Sequence, residues 1–146
     1  MPTAGKFVGA VTFAVLALWS SWLALPLFPD GRDPSWFYEV NGIAGLWVGW
    51  AFVGARAGRG YSAATGIGLT GSAMVLVMAM FFHASEEMLE RALDRRYDGA
   101  SEALVSIFEI GIEMTTWLAT PLTGVALFCG GIVAAFLTEF VGQRLP

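Results

Sequence analysis

The sequence is poor in charge and in the residue types that carry out most protein chemistry. Charged residues make up 14% of the 146 residues and hydrophobic residues 56%, whereas a soluble domain carries about 25% charged residues. The chain has one histidine, His83, and one cysteine, Cys129. The low charge argues against a soluble core, and a lone cysteine excludes an internal disulfide and a dithiol.

Sequence motifs for common reactions are also missing. There is no phosphate-binding glycine loop, no cysteine pair, no nucleophile beside an evident base, and no second histidine that could join His83 in binding haem. The net charge of −4 gives no indication of nucleic-acid binding. We therefore predict a protein that is not an enzyme and has no cofactor and no nucleic-acid partner.

Apolar segments make up most of what is present. Four of them approach or reach the roughly 20 residues needed to cross a hydrocarbon core: 7–28, 36–55, 61–82 and 119–141. The first contains tryptophans and lacks a small-x-small cleavage site, so we expect it to be retained as a span. The sequence predicts one all-α membrane domain over 1–146, with four transmembrane helices in a lipid bilayer.

The connections between these segments indicate their orientation. The turn formers of Pro29–Pro34 predict a short loop, flanked by five aromatic residues expected at the membrane surface: Trp19, Trp22, Trp36, Phe37 and Tyr38. Four basic residues would lie at the opposite surface: Lys6, Arg56, Arg59 and Arg144. Because basic residues favour the cytoplasmic side, we expect both termini in the cytoplasm.

Small residues recur at the spacing that lets two helices approach closely. Gly5 precedes Gly9 by one turn, Gly45 precedes Gly49 likewise, and Gly66 and Gly71 lie near Ser72 and Ala73. Such positions serve either packing within one bundle or an interface between copies.

Most of the charge is concentrated between residues 83 and 113. This stretch holds eight of the twelve acidic residues, three of the eight basic ones and the one histidine. Helical spacing predicts a helix through Tyr97 with a Glu87–Arg91 pair, capped by Gly99. We interpret the stretch as a solvated, salt-bridged surface. The alternative is a divalent cation site with these candidate ligands: His83, Glu87, Glu90, Glu109 and Glu113.

The segment after Gly99 has a narrow polar stripe and a broad apolar surface. The stripe is formed by Glu102, Ser106, Glu109, Glu113, Thr116 and Thr120. The preceding helix offers only Met88, Leu89, Ala92 and Leu93 to cover the apolar side. We therefore predict that a protein partner or a second copy contacts this surface, through the following residues: Leu104, Ile107, Phe108, Ile110, Ile112 and Trp117.

The same segment sets the predicted overall shape. We interpret 101–141 as one long bent helix, because only Thr120-Pro121 interrupts it and proline can kink a helix without reversing it. A turn near Gly99 would place residues whose numbers sum to about 198 opposite one another. The last two transmembrane helices would then extend into a helical hairpin over 83–118, protruding roughly 20 Å. In two alternatives, 101–118 lies along the membrane surface or crosses it as a fifth span.

Four blocks of this sequence resemble a known family. They are the opening Met-Pro-Thr-Ala-Gly-Lys6, the return Gly54-Ala-Arg-Ala-Gly-Arg-Gly-Tyr61, the block Ala92-Leu-Asp-Arg-Arg-Tyr-Asp-Gly99, and Phe108-Glu-Ile-Gly-Ile-Glu113. Together they resemble the TrgA-type tellurium-resistance membrane proteins of alphaproteobacteria, nearly from end to end. The resemblance implies a small bacterial inner-membrane protein associated with tellurite tolerance, and it implies no catalytic residues.

Two hypotheses follow. In the first, the protein supports tellurite tolerance through an unknown membrane process. In the second, it is an accessory subunit packed against a larger respiratory or photosynthetic complex through 101–118 and the glycine-rich spans. An acidic surface repels the tellurite dianion, and one cysteine supplies no dithiol, so direct capture by this chain is not expected.

Overall fold

A computed structural model describes residues 4–29 and 35–145, and within these residues all regular structure is helical. The fold class is therefore all-α, as predicted. Helix α1 spans Ala4–Ala24 and continues into a 3-10 turn, Leu25–Leu27; α2 spans Phe37–Val48; α3 spans Tyr61–Leu93; α4 spans Ala100–Leu118; and α5 spans Pro121–Arg144. The predicted loop at Pro29–Pro34 lies outside the described residues, apart from Pro29.

Three of these helical segments are long and apolar enough to cross a membrane. They are Ala4–Leu27, Tyr61–Leu93 and Pro121–Arg144. The fourth predicted span corresponds to α2, which is followed directly by a π-helical turn, Gly49–Val53, and a 3-10 turn, Gly54–Arg56. Helical structure is thus continuous over 37–56, with a change of winding near its middle.

Helix α3 ends earlier than predicted. It stops at Leu93 and not at Tyr97, and the residue in the left-handed region is Arg95, with φ of 55°. Gly99 has an extended backbone, with φ of −170°, and stands directly before α4. The expectation of a left-handed Gly99 cap was therefore wrong. The backbone N–H groups of Asp94 and Arg95 donate to the backbone carbonyls of Glu90 and Ala92, respectively, and close the last turn of α3.

The predicted single helix over 101–141 is also wrong. It is divided at Ala119 and Thr120 into α4 and α5. Thr120 has an extended backbone, and its hydroxyl accepts a hydrogen bond from the Thr123 N–H at 3.3 Å. Pro121 follows as the first residue of α5, where its missing N–H is no loss. The Thr-Pro pair thus starts a new helix instead of bending an existing one.

The helices pack through small residues. A Cβ added to Gly45 would come within 2.8 Å of the Ala17 Cβ, and one added to Gly49 within 2.8 Å of the Ala10 Cα. Antiparallel α3 and α5 meet at Gly68 and Gly131, and the hydroxyl of Ser72 donates to the Leu127 carbonyl at 2.9 Å. The two residue numbers sum to 199 in both pairs, as expected for facing residues of two antiparallel helices. The glycines of α1 and α2 therefore serve packing within the bundle and are not available to a partner.

Three apolar clusters lie among the described residues of this bundle. The largest joins α1, α2, α3 and α5 around Phe13, Val48 and Val75. A second joins α3 to α4 and contains Ala84, Ile107, Ile110 and Met114. A third joins the end of α1 to the start of α2 through Ala24, Phe28 and Phe37. Of the α3 residues predicted to cover α4, Met88 does so together with Met80 and Ala84, whereas Leu89 and Leu93 are exposed.

Candidate functional site

A chain of polar side chains lies buried where α1, α2 and α3 meet. The Asn41 amide donates to the Ser21 hydroxyl at 2.8 Å, and its carbonyl oxygen is 3.1 Å from Nε2 of His83. Ser21 in turn donates to the Ala17 carbonyl at 2.7 Å. His83 is 2% exposed, and its ring lies 5.1 Å from that of Phe37. These side chains pair with one another in an apolar region, where unpaired polar groups are costly.

His83 does not belong to the solvated surface on which the sequence analysis placed it. Its Nδ1 is buried, makes no hydrogen bond and lies 3.8 Å from a carboxylate oxygen of Glu86. Phe37, expected at the membrane surface, is buried instead and packs edge-on against Phe28 at 5.3 Å. Trp19, Trp22 and Trp36 are exposed, as expected for aromatic residues at the membrane surface.

A cavity of about 450 Å³ opens beside these hydrogen-bonded polar side chains. Its walls come from α1, α2, α3 and the break between α4 and α5, and they are mostly apolar. Among the residues that the structure describes, the polar lining consists of hydroxyl and amide groups, with no charged side chain: Ser20, Ser21, Asn41, Thr115, Thr120 and Thr123. The Ser20 hydroxyl is buried and has no hydrogen-bond partner in the described part of the chain.

A second polar site stands at the opposite end of the bundle. The carboxylate of Glu139 accepts hydrogen bonds from three successive backbone N–H groups of the α2–α3 connection: Gly58 at 2.7 Å, Arg59 at 3.3 Å and Gly60 at 2.5 Å. Gln143 donates to it as well, at 2.7 Å. Glu139 is 1% exposed. Gly58 and Gly60 have φ near +91° and +95°, which aims these N–H groups at one point.

The candidate metal ligands do not converge. Among residues 4–29 and 35–145, no group of three or more His, Cys, Asp or Glu residues could hold a metal ion. His83 is buried against Asn41, Glu87 is paired with Arg91 at 2.8 Å as predicted, and Glu90, Glu109 and Glu113 lie on exposed surface. The carboxylate of Glu102 accepts a hydrogen bond from the Asp98 backbone N–H at 2.8 Å.

The predicted partner surface on α4 is divided in two. Ile107 and Ile110 are buried against α3, and Trp117 is partly buried beside Phe28. Leu104, Phe108 and Ile112 are exposed, Phe108 to 74%. These three residues repeat every four positions and form one stripe, called here the α4 stripe. Ser106 does not form part of an exposed polar stripe as predicted. It is buried, and its hydroxyl donates to the Ala103 carbonyl at 2.7 Å.

Comparisons with known proteins give no identification: no protein-family model, curated protein or solved structure matches the chain. Sequence reasoning missed the two residues on which the buried sites depend, Asn41 and Glu139. Each carried a signal, since an amide or a carboxylate inside an apolar segment marks a site that needs a partner. Those partners lie 42 and about 80 residues away along the chain.

Proposed function

We propose that this chain is a non-catalytic bacterial inner-membrane protein of the TrgA type, which supports tellurite tolerance by contacting another membrane component. The observation that carries the proposal is the resemblance of four sequence blocks to that family. Two of these blocks, 54–61 and 92–99, are the connections at either end of α3. The first of them holds the backbone N–H groups that Glu139 binds.

The proposed topology has four crossings, with both termini in the cytoplasm. The start of α1, the α2–α3 connection and the end of α5 lie together, since a Cβ on Gly5 would be 3.0 Å from the Ala57 Cβ and 3.6 Å from the Gly142 Cα. The neighbouring residues Lys6, Arg59 and Arg144 therefore share one end of the bundle. A concentration of basic residues at one end favours the cytoplasmic side.

The proposed hairpin extends α3 and α4 beyond the opposite surface. Helix α3 has 33 residues, which at 1.5 Å per residue is about 50 Å, compared with a hydrocarbon core of roughly 30 Å. The excess lies at the acidic end of α3, beside α4. A protruding acidic hairpin offers a surface for a partner and repels a dianion, so we place tellurite itself elsewhere.

Thiol chemistry by this chain alone is a poor explanation for tolerance. Cys129 is its one cysteine and is exposed on α5. Reduction of tellurite by paired thiols would need a second cysteine nearby, and one cysteine cannot supply the pair. We therefore propose that the chain supports tolerance through its partner.

The accessory-subunit hypothesis describes the same contact. The α4 stripe presents three large apolar side chains beside exposed Glu109. Exposed apolar surface of this kind outside a bilayer marks an interaction site. The two hypotheses differ in the process that the partner serves, and the α4 stripe is the proposed contact in both.

The test is complementation of a strain that lacks the gene, with growth measured against tellurite concentration. We expect Cys129→Ala to restore tolerance fully and Phe108→Glu to fail, because a charge at the centre of the α4 stripe would release the partner. Leu93→Glu is the matched control, since Leu93 is equally exposed but lies at the end of α3. All three variants should reach the membrane in equal amounts.

Three outcomes would contradict the proposal. If deletion leaves tellurite sensitivity unchanged, the family assignment fails. If Cys129→Ala alone abolishes tolerance, the chain acts by thiol chemistry. If Phe108→Glu complements as well as Leu93→Glu and co-purifies with the same proteins, the α4 stripe is not the contact.

A further inference from the structure

We propose that the cavity beside the α4–α5 break binds a neutral, membrane-soluble ring compound with carbonyl oxygens, of the quinone type. The cavity has a volume of about 450 Å³ and walls from α1, α2, α3 and α5. Small-molecule sites in proteins commonly enclose about 300–1,000 Å³ with apolar walls and a few polar groups. This volume accommodates one substituted ring and is too small for a whole two-chain phospholipid.

The walls specify an uncharged, flat ligand. Within 4–29 and 35–145, no charged side chain lines the cavity, so an ionic ligand would lose its hydration without gaining a counter-charge from these residues. Two aromatic residues, Phe37 and Phe128, and the flexible thioether of Met80 contribute to the lining. Aromatic and thioether groups pack favourably against a planar ring.

The polar lining specifies hydrogen-bond acceptors on that ligand. An asparagine amide carries two N–H donors, and Asn41 uses one of them on Ser21, which leaves the second. The Ser20 hydroxyl is also a donor, buried and without a partner. The Asn41 carbonyl is already engaged by His83. The second Asn41 N–H can only donate, and the Ser20 hydroxyl can donate as well as accept, so carbonyl oxygens are matching groups on a neutral ligand.

The location favours a molecule that arrives through the membrane. Val75, Leu76 and Ala79 of α3 and Leu127 of α5 line the cavity, and all four lie in helices long and apolar enough to cross a bilayer. A ligand that partitions into lipid reaches such a site at high local concentration. The chemistry required is therefore a lipophilic ring with carbonyl acceptors and no charge.

The experiment uses the full chain in proteoliposomes with a photoreactive short-chain benzoquinone, and mass spectrometry locates the label. We expect labelling in peptides covering 115–128, removed by excess unlabelled benzoquinone. Gly124→Phe should reduce the labelling at least tenfold. Gly124 lines the cavity, and a Cβ added there meets nothing within 4 Å, so a ring can be introduced at the cavity wall without a backbone clash.

Gly66→Phe is the matched control. Gly66 is also helical and its Cβ would also meet nothing within 4 Å, but it lies outside the cavity. This variant should label as the unmodified chain does. Ser20→Ala removes an unpartnered donor, so we expect about threefold to tenfold weaker binding with a thermal midpoint that is unchanged or raised.

Two results would overturn the proposal. Equal labelling of Gly124→Phe and Gly66→Phe would show that the quinone binds elsewhere on the surface. Equal labelling of 115–128 by a photoreactive acyl chain without a ring would make the cavity a slot for lipid tails. If Gly124→Phe fails to fold, Ser20→Ala and the acyl-chain comparison still decide the question.

Discussion

Buried polar residues determine much of this structure because the rest of the chain is apolar. The one histidine contacts the one asparagine, and the one glutamine contacts the one carboxylate buried in α5. Asn41 and Glu139 were not predicted as sites, and an apolar pattern alone does not identify the partners of such residues. Glu139 illustrates the reason, since its acceptor capacity is filled by backbone N–H groups, which carry no signature in a side-chain pattern.

His83 shows the limit of helical periodicity. The pattern correctly placed it in a helix with Glu87 and correctly paired Glu87 with Arg91. It could not show that Phe37 and Asn41 of α2 would cover the histidine while leaving Glu90 exposed. Which part of a polar face is buried depends on a neighbouring helix, and the angle of that helix is set by packing.

At the scale of single residues, we predict that Glu139 holds the α2–α3 connection in place. Glu139→Ala removes the acceptor for the N–H groups of Gly58, Arg59 and Gly60. Because Gly58 and Arg59 are exposed, water replaces part of the loss, and the free energy of unfolding should fall by about 1–3 kcal/mol. The measurement is denaturant unfolding in detergent, together with hydrogen exchange of the three N–H groups, which should become faster.

The control for this change is Glu90→Gln. Glu90 is exposed on α3, so unfolding should shift by no more than about 0.5 kcal/mol. If Glu139→Ala shifts the midpoint no further than Glu90→Gln and the exchange of Gly58–Gly60 stays slow, the carboxylate does not anchor the connection.

At the scale of elements, the sequence identified which segments are helical better than where they end. The apolar lengths of α1, α3 and α5 were sufficient to locate them. The end of α3 was missed because Arg95, a residue with no preference for a left-handed backbone, takes the position that favours glycine. The break at Ala119 and Thr120 was missed because Thr-Pro is compatible with both a kink and a new helix start.

The contact of α1 with α2 gives a prediction at this scale. Gly45→Ala introduces a methyl group 2.8 Å from the Ala17 Cβ and close to the Phe13 carbonyl, so the two helices must separate. Overpacking of this kind costs about 1–3 kcal/mol. Unfolding in detergent should show that loss, while membrane insertion remains intact.

Gly66→Ala provides the comparison for the same change of residue. Its added methyl group would meet nothing within 4 Å, and alanine is the better helix former by about 0.8–1.0 kcal/mol. The variant should therefore be neutral or stabilised. Equal destabilisation of Gly45→Ala and Gly66→Ala would mean that loss of glycine itself, and not the close approach of α1 and α2, explains the effect.

For the whole molecule, the open question in the sequence was how many helices cross the bilayer. Pattern and composition cannot separate a protruding α4 from one that lies on the surface or crosses, because its exposed apolar side chains suit either lipid or protein. The structure adds that Ile107 and Ile110 face α3 and that Glu109 shares the exposed side with Phe108. A charge beside the apolar stripe makes a lipid-facing crossing costly.

The final prediction follows from that cost and concerns topology. Single cysteines at four exposed positions, introduced in a Cys129→Ala background, report the side of the membrane on which each lies: Ser35, Arg59, Asp98 and Ala119. With four crossings, the cysteines at 35, 98 and 119 react with an impermeant reagent from the periplasmic side, and the one at 59 reacts from the cytoplasm. Arg59 is chosen over Ala57 because Ala57 packs against Gly5 and Gly142 and would react poorly. A fifth crossing by α4 would place 119 on the side of 59, and failure of α2 to cross would place 35 there.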